Sequence, residues 1–208
     1  VLTRLAYIVD KDELNLSHDR RDELYRGIGA FMEMYWQKMS GPQPESNGNL
    51  PRISGYEVAH HSGVLFGQLY RRTTHPKWKA LRETTEKVAQ AGEPADLLDV
   101  AWRLVALVEL GEGKRYQAEI DALVKEIFSH QRADGSWAMP FGLEVVEYDW
   151  SSHQVKRKKL PPSEGQEGPR RSDFQTYHNI YALAKAGVGL DDPRMKKAVE
   201  FCLRRQTE

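Results

Sequence analysis

Side chains that can donate or accept protons recur near the predicted starts of several helices. Asp96, Asp99 and Asp173 supply carboxylates, and His61 and His178 supply imidazoles, the groups that most often act as general acids and bases in proteins. Aspartates at a helix start also cap free backbone N–H groups and interact favourably with the helix dipole. The three aspartates are therefore candidate catalytic residues, with helix capping as the alternative.

The same residue types can bind a metal ion, but their spacing does not favour one. His60 and His61 are adjacent, and neighbouring residues on a helix point about 100° apart, so the two rarely bind one ion together. Cys202 is the single cysteine, which leaves no disulfide within the chain and no cysteine cluster for structural zinc. The sequence predicts no metal and no cofactor.

Helices must position these residues. Apolar residues recur at three- and four-residue spacing, and strand patterns are nearly absent, so the predicted fold class is all-α. The first helix carries an apolar stripe of Leu24, Ile28, Phe31 and Tyr35. Six further helices are predicted over residues 58–71, 76–90, 95–110, 114–130, 173–186 and from 193 to the chain end.

Two segments interrupt the helical pattern. Residues 41–55 are rich in Pro and Gly, so we divide the chain into an N-terminal helix and linker over 1–55 and a helical domain over 56–208. Residues 138–171 form an insertion in that domain, predicted as a long loop with a short strand. Its basic run, residues 156–159, indicates either a lip for an anionic ligand such as a diphosphate or a solvated loop.

The helices repeat in pairs. Residues 106–111 (Ala-Leu-Val-Glu-Leu-Gly) align with residues 182–187 (Ala-Leu-Ala-Lys-Ala-Gly) after a shift of 76, and residues 127–131 align with 202–206 after a shift of 75. The first helix of each pair is apolar on most sides and the second has one apolar stripe, which predicts a buried inner layer and a covering outer layer. Such antiparallel hairpins form an open solenoid or a closed toroid. An irregular helical bundle is the alternative.

The outer helix of the earlier pair leads into Gln-Arg-Ala-Asp-Gly-Ser-Trp. An apolar outer helix followed by Gln and Gly-x-Trp resembles the QW motif of squalene–hopene and oxidosqualene cyclases, which are α/α toroids. In that family the Gln side chain caps backbone groups of a neighbouring helix and stacks against the Trp. The resemblance implies this structural role for Gln131, Gly135 and Trp137, and for Gln206 in the next copy. It covers the chain from about residue 95 to the end.

The catalytic residues of related enzymes are only partly matched. Squalene–hopene cyclases open an inner helix with Asp-x-Asp-Asp-Thr-Ala, whose central Asp donates the proton, whereas residues 96–101 are Asp-Leu-Leu-Asp-Val-Ala, with Leu98 at that position. Residues 173–183 are similar to the inner-helix segment of zinc-dependent protein prenyltransferases in which a His, here His178, binds zinc. The Asp-x-Cys pair that supplies their other ligands has no counterpart. The resemblance thus implies the toroid without a complete cyclase acid or zinc motif.

The repeat register predicts where a site would lie. The starts of the inner helices would bring the carboxylates and imidazoles to one end of the toroid, above an interior that binds an apolar ligand. Aromatic faces there could stabilise a cation or simply fill the core. The predicted catalytic residues are Asp96, Asp99 and Asp173, and the predicted substrate-binding residues are His61, Trp102, Tyr177, His178 and Tyr181.

Three functions fit these patterns. The first is a terpenoid-cyclase-like or prenyltransferase-like domain that binds an isoprenoid or other apolar ligand. The second is a non-catalytic, repeat-type binding module of a larger protein. The third is an α/α-toroid carbohydrate lyase or glycosidase, which would use paired carboxylates and aromatic platforms.

The charge balance and the lengths of the apolar stretches limit which classes of partner are expected. Thirty basic and thirty acidic residues cancel, so the chain offers no overall electrostatic attraction for nucleic acid. No apolar stretch approaches the length that crosses a bilayer. Because the chain stops at Glu208 before a second Gly-x-Trp, a further domain or the remaining toroid repeats are expected in the full-length chain.

Overall fold

Helices make up most of the protein. The computed structural model describes residues 16–40, 54–111, 114–138, 143–149, 154–160 and 169–206, and all structural statements concern these residues. The predicted all-α fold class is confirmed. The elements are α1 (His18–Ser40), α2 (Gly55–Thr73), α3 (Pro76–Gln90), α4 (Leu97–Leu110), α5 (Gln117–Ser129), β1 (Leu143–Asp149), β2 (Gln154–Leu160), α6 (Pro169–Lys185) and α7 (Pro193–Gln206).

Local sequence explains where α4 begins and where α6 ends. At the start of α4 the Asp96 carboxylate accepts a hydrogen bond of 2.9 Å from the Asp99 backbone N–H, a cap that stabilises a helix by about 1 kcal/mol. After α6, Gly187 takes a left-handed conformation with φ +86°, and the Val188 N–H donates to the Leu183 carbonyl at 3.0 Å. This Schellman arrangement ends the helix because glycine adopts positive φ without steric cost.

The helices pack in two layers. α4 contacts both α2 and α6, so these three helices form one layer. α3 packs against α2 and α4, α5 packs against α4, and α7 packs against α6, so α3, α5 and α7 cover that layer. α1 packs against α2 at one end of the array. We call α2, α4 and α6 the inner helices, and α3, α5 and α7 the outer helices.

α4 forms the centre of the main core. Most of its residues are buried, including the consecutive run Leu104–Leu107. A helix that is apolar on most sides must be covered on most sides, and α4 is covered by α2, α3, α5 and α6. Close approach of α2 to α3 depends on Gly63, because a Cβ there would lie 2.4 Å from the Thr85 hydroxyl oxygen.

α1 is rotated relative to its predicted apolar stripe. Leu24 and Phe31, which we predicted on the buried face, are exposed. The buried face instead contains the larger aromatic rings Tyr25 and Trp36, which remove more apolar surface from water than the predicted pair would. The residues that pack with α2 are Tyr25, Ile28, Met32 and Trp36.

The boundary between the N-terminal region and the helical domain stays a prediction. α1 and α2 share a core cluster, to which α2 contributes Val58, Leu65, Phe66 and Leu69. This shared cluster makes the contact between α1 and the helical domain part of the fold. The linker between the two helices, residues 41–53, lies outside the described residues.

A two-stranded antiparallel sheet lies in the insertion over residues 138–171. β1 and β2 pair in a register that places Leu143 opposite Leu160 and Asp149 opposite Gln154. The predicted basic run, residues 156–159, falls within β2, and its side chains are outside the described part of the structure.

Candidate functional site

Four rings from the three inner helices meet. The ring centroid of Trp102 on α4 lies 5.4 Å from that of His61 on α2, and 5.6 Å and 6.3 Å from those of His178 and Tyr181 on α6. All three pairs meet edge to face, an arrangement that aromatic rings prefer. We call these four residues the aromatic cluster. It contains all the predicted substrate-binding residues except Tyr177.

Two more rings extend the aromatic cluster. The His60 ring lies 5.8 Å from Trp102, and the Phe174 ring lies 4.2 Å from His178. Trp102 is buried, whereas Phe174 and Tyr181 are exposed. The extended cluster therefore has a buried ring at Trp102 and exposed rings on α6.

Hydrogen-bonded polar side chains link the three inner helices beside the aromatic cluster. His60 Nε2 on α2 lies 2.6 Å from a carboxylate oxygen of Glu109 on α4. The other oxygen of that carboxylate accepts a hydrogen bond from Lys185 on α6. The hydrogen bond from His60, assisted by Lys185, lowers the pKa of Glu109 to about 2. Glu109 is therefore anionic at neutral pH and binds both neighbouring helices.

A second carboxylate lies close to His61. A carboxylate oxygen of Glu57 is 4.0 Å from His61 Nε2, one helical turn away on α2. Burial raises the pKa of Glu57, against the opposing effects of His178 and His60. Burial and the neighbouring His60 lower the pKa of His61 to about 4. His61 is thus uncharged at neutral pH, so one ring nitrogen can accept a hydrogen bond.

The predicted catalytic aspartates make structural contacts. Asp96 caps α4, and the Asp99 carboxylate accepts a 3.1 Å hydrogen bond from the Ala95 N–H. Asp173 on α6 lies 3.6 Å from Arg205 on α7. Asp96 and Asp99 thus make contacts of helix capping, the alternative named above, whereas Asp173 forms an ion pair. A catalytic role for the three stays a prediction.

Asp96 also lines a cleft at the ends of two helices. The cleft has a volume of about 440 Å³, and its lining includes Glu126, His130 and Arg132 from the end of α5 and the turn after it. The residues that line it do not include the aromatic cluster. The acidic helix start and the aromatic cluster therefore face different spaces.

Tyr177 lies outside the aromatic cluster although it is on the same helix. Its side chain is exposed and forms a hydrogen bond with Cys202 on α7, while burial raises the pKa of that thiol. A role for Tyr177 in ligand binding stays a prediction.

The Gln-to-Trp segment after α5 ties outer helices together. The Gln131 side chain donates hydrogen bonds of 3.0 Å to the carbonyls of Gly135 and of Arg194 on α7. Trp137 is fully buried, and its indole N–H donates to the Ile127 carbonyl at 2.7 Å. Gly135 has φ +97°. These contacts join α5 to α7.

Gln206, the residue predicted to play the same part in the next copy, is the last residue of α7. Its side chain lies outside the described part of the structure. The QW interpretation of all four residues stays a prediction.

Sequence reasoning missed three charged side chains beside the aromatic cluster, Glu57, Glu109 and Lys185, and it considered His60 only as a metal ligand. A signal for one pair was present, because Glu109 and Lys185 occupy equivalent positions in the repeat and carry opposite charges. Facing positions of neighbouring inner helices are where such a pair would meet.

Among the described residues, no three His, Cys, Asp or Glu side chains are grouped so that they could hold a metal ion. None of the described helices combines the length and apolar character needed to span a bilayer.

Comparisons of this chain with protein-family models, with curated proteins and with solved structures find no match.

Proposed function

We propose that this chain is part of an α/α toroid whose antiparallel helical hairpins bind an isoprenoid or a similar apolar small molecule. The observation that carries the proposal is the meeting of His61, Trp102, His178 and Tyr181 from three inner helices. Inner helices covered by outer helices support the toroid, and the contacts of Gln131 resemble those of a QW motif.

The aromatic cluster and the adjoining Phe174 and Glu57 supply contacts for both ends of such a ligand. The exposed rings of Phe174 and Tyr181 offer apolar surface to a hydrocarbon chain. Uncharged His61 and the nearby Glu57 can form hydrogen bonds with a hydroxyl head group. The proposal is one of binding, and no bond-breaking step is assigned to these residues.

Calorimetric titration with farnesol tests the proposal. We expect saturable binding that weakens about tenfold in Tyr181→Ala and in His178→Ala, because each substitution removes one ring contact, a loss of about 1.4 kcal/mol. Leu190→Ala is the matched control, since Leu190 is an exposed apolar residue in the turn between α6 and α7. Absence of saturable binding, or equal weakening in Leu190→Ala, would contradict the proposal.

The same titration separates the alternative functions. Cellohexaose binding that depends on Tyr181, with no response to farnesol, would favour a carbohydrate-active toroid. If neither ligand binds, the repeat-type binding module remains as the function that the packing supports.

A further inference from the structure

The inner helix α6 exposes apolar side chains at positions that α4 buries. Leu98, Ala101 and Val105 on α4 are 8%, 2% and 1% exposed. A shift of 76 residues, the period of the sequence repeat, leads from them to α6. The corresponding residues there are Phe174, Tyr177 and Tyr181, which are 42%, 43% and 41% exposed.

The outer helices differ in the same way. Phe128 on α5 is 7% exposed because the segments that follow it pack over its ring. The Trp137 ring lies 6.4 Å from it, and the Arg194 guanidinium at the start of α7 lies 3.8 Å from its centre. The repeat shift of 75 residues leads from Phe128 to Leu203 on α7, which is 57% exposed.

The difference follows from what covers each pair of helices. α4 has the inner helix α6 beside it, and α7 begins against α5. Phe174, Tyr177 and Tyr181 on α6 and Leu203 on α7 occupy positions that are buried one repeat earlier. We call these four residues the open edge. Tyrosine, phenylalanine and leucine at adjoining exposed positions form a larger apolar surface than scattered single residues do.

We propose that the open edge binds a further α-helical pair of the same repeat type, whose inner helix packs on α6 and whose outer helix packs on α7. The packing of α6 and α7 on α4 and α5 is the precedent within the chain, so the interface would continue one that the fold already contains. The partner's inner helix would carry small apolar residues at its contact positions, as α4 does with Ala106 and α6 does with the equivalent Ala182. The inference rests on the toroid proposed above, and its open edge shares Phe174 and Tyr181 with the proposed ligand surface. The farnesol titration tests the ligand, and the measurement of Tm below tests the further helical pair.

An extended chain tests this directly. In it a second copy of residues 91–138, which contain α4, α5 and the turn after α5, follows Gln206. We expect Tm to rise by roughly 5 °C, because the added pair buries the open edge. Leu203→Ser should lower Tm in the extended chain and leave the unextended chain unchanged. Leu190→Ser is the matched control, because Leu190 is 61% exposed but is not part of the open edge, and it should change neither chain.

Equal effects of Leu203→Ser in the two chains would overturn the proposal. Should the extended chain fail to fold, binding of the dye 8-anilinonaphthalene-1-sulfonate to the unextended chain provides the second measurement. The double variant Tyr177→Ser, Leu203→Ser should lower the dye fluorescence at least twofold relative to Leu190→Ser. Unchanged fluorescence would show that the open edge is not an accessible apolar surface and would contradict the proposal.

Light scattering tests whether a second copy of this chain occupies the open edge instead. We expect the unextended chain to be monomeric. A dimer that Tyr177→Ser dissociates would assign the open edge to a second copy of this chain and overturn the proposal of a further repeat pair.

Discussion

Trp137 shows how one residue can hold several elements together. Its ring lies beside Phe128, its indole N–H bonds the Ile127 carbonyl, and its backbone N–H donates to the Thr176 hydroxyl at 3.0 Å. α5 and α6 are therefore both fixed to this residue. The side chain acts through packing and one hydrogen bond.

Replacement of Trp137 by Ala should lower the free energy of unfolding by about 3 kcal/mol, because a large cavity forms and a buried carbonyl loses its donor. Trp137→Phe should cost less, since most of the ring is kept and only the hydrogen bond is lost. Chemical denaturation monitored by circular dichroism measures both. Equal stability of wild type and Trp137→Ala would refute this role.

The lowered pKa of His61 predicts how the stability of the folded protein depends on pH. Its pKa is about 4 in the folded protein, against an ordinary value of 6.5, because burial and His60 outweigh the opposing charge of Glu109. The unfolded state therefore binds a proton first as the pH falls. This contribution to stability is complete above pH 6.5 and is lost progressively as the pH falls to about 4.

His61→Asn should consequently flatten the profile of unfolding free energy against pH between 6.5 and about 4. His130→Asn is the control, because His130 is an exposed residue outside the aromatic cluster. Denaturant titrations at several pH values give the profile. A slope in this window that both variants share with the wild type would contradict the assignment.

At the scale of helices and turns, a comparison of two glycines distinguishes the cost of backbone strain from the cost of a steric clash. Gly135 and Gly187 both have positive φ, +97° and +86°. A Cβ on Gly135 would lie 2.5 Å from the Lys197 carbonyl oxygen, whereas a Cβ on Gly187 meets no atom within 4 Å. α7 can therefore approach the turn after α5 only because residue 135 lacks a side chain.

Gly187→Ala should cost about 1 kcal/mol, the strain of a side chain at positive φ. Gly135→Ala should cost roughly 2 kcal/mol more, because the clash with backbone adds to the same strain. Thermal and denaturant unfolding compare the two variants. Equal losses would mean that the contact with Lys197 relaxes freely.

The helical elements could largely be predicted, whereas their rotation and offset could not. Apolar periodicity located the helices, and Trp102 and His178, which occupy equivalent positions in the repeat, meet in the structure. The face of α1 depends on which aromatic rings α2 can accommodate, and periodicity alone does not contain that information. His61 on α2 packs beside Trp102 on α4, and the sequence does not predict this offset because side-chain fit sets how far one helix slides along another.

The polar contacts of the candidate site were harder to predict for a related reason. Glu109 and Lys185 look like ordinary surface charges in the sequence, and only the packing of three helices brings them to His60. Asp96 and Asp99 show the opposite difficulty, because residues that look like candidate proton donors in the sequence make the contacts of a helix cap in the structure.

At the scale of the whole molecule, α2 belongs to both core clusters. Tyr56 packs in the cluster centred on α4, and Phe66 packs in the cluster with α1. Because one rigid helix contributes to both, we expect the described helices to unfold in a single transition.

Phe66→Ala, which empties a fully buried site, should lower stability by about 4 kcal/mol. It should also move the transitions seen by circular dichroism and by tryptophan fluorescence together. Transitions that separate in the variant would instead indicate that α1 and α2 unfold independently of the main core.

The connections between helices differ greatly in length, and a long connection should tolerate an insertion better than a short one. Only Thr74 and His75 join α2 to α3, whereas residues 130–168 join α5 to α6. The entropy lost when a flexible loop closes grows only with the logarithm of its length, by about 0.6 kcal/mol for each doubling. A guest sequence as long as the α5–α6 connection should therefore cost little when it is placed within residues 161–168, between β2 and α6, because it only doubles the length of that connection. The same guest between Thr74 and His75 would lengthen a two-residue turn about twentyfold, which should cost roughly 3 kcal/mol by the same rule.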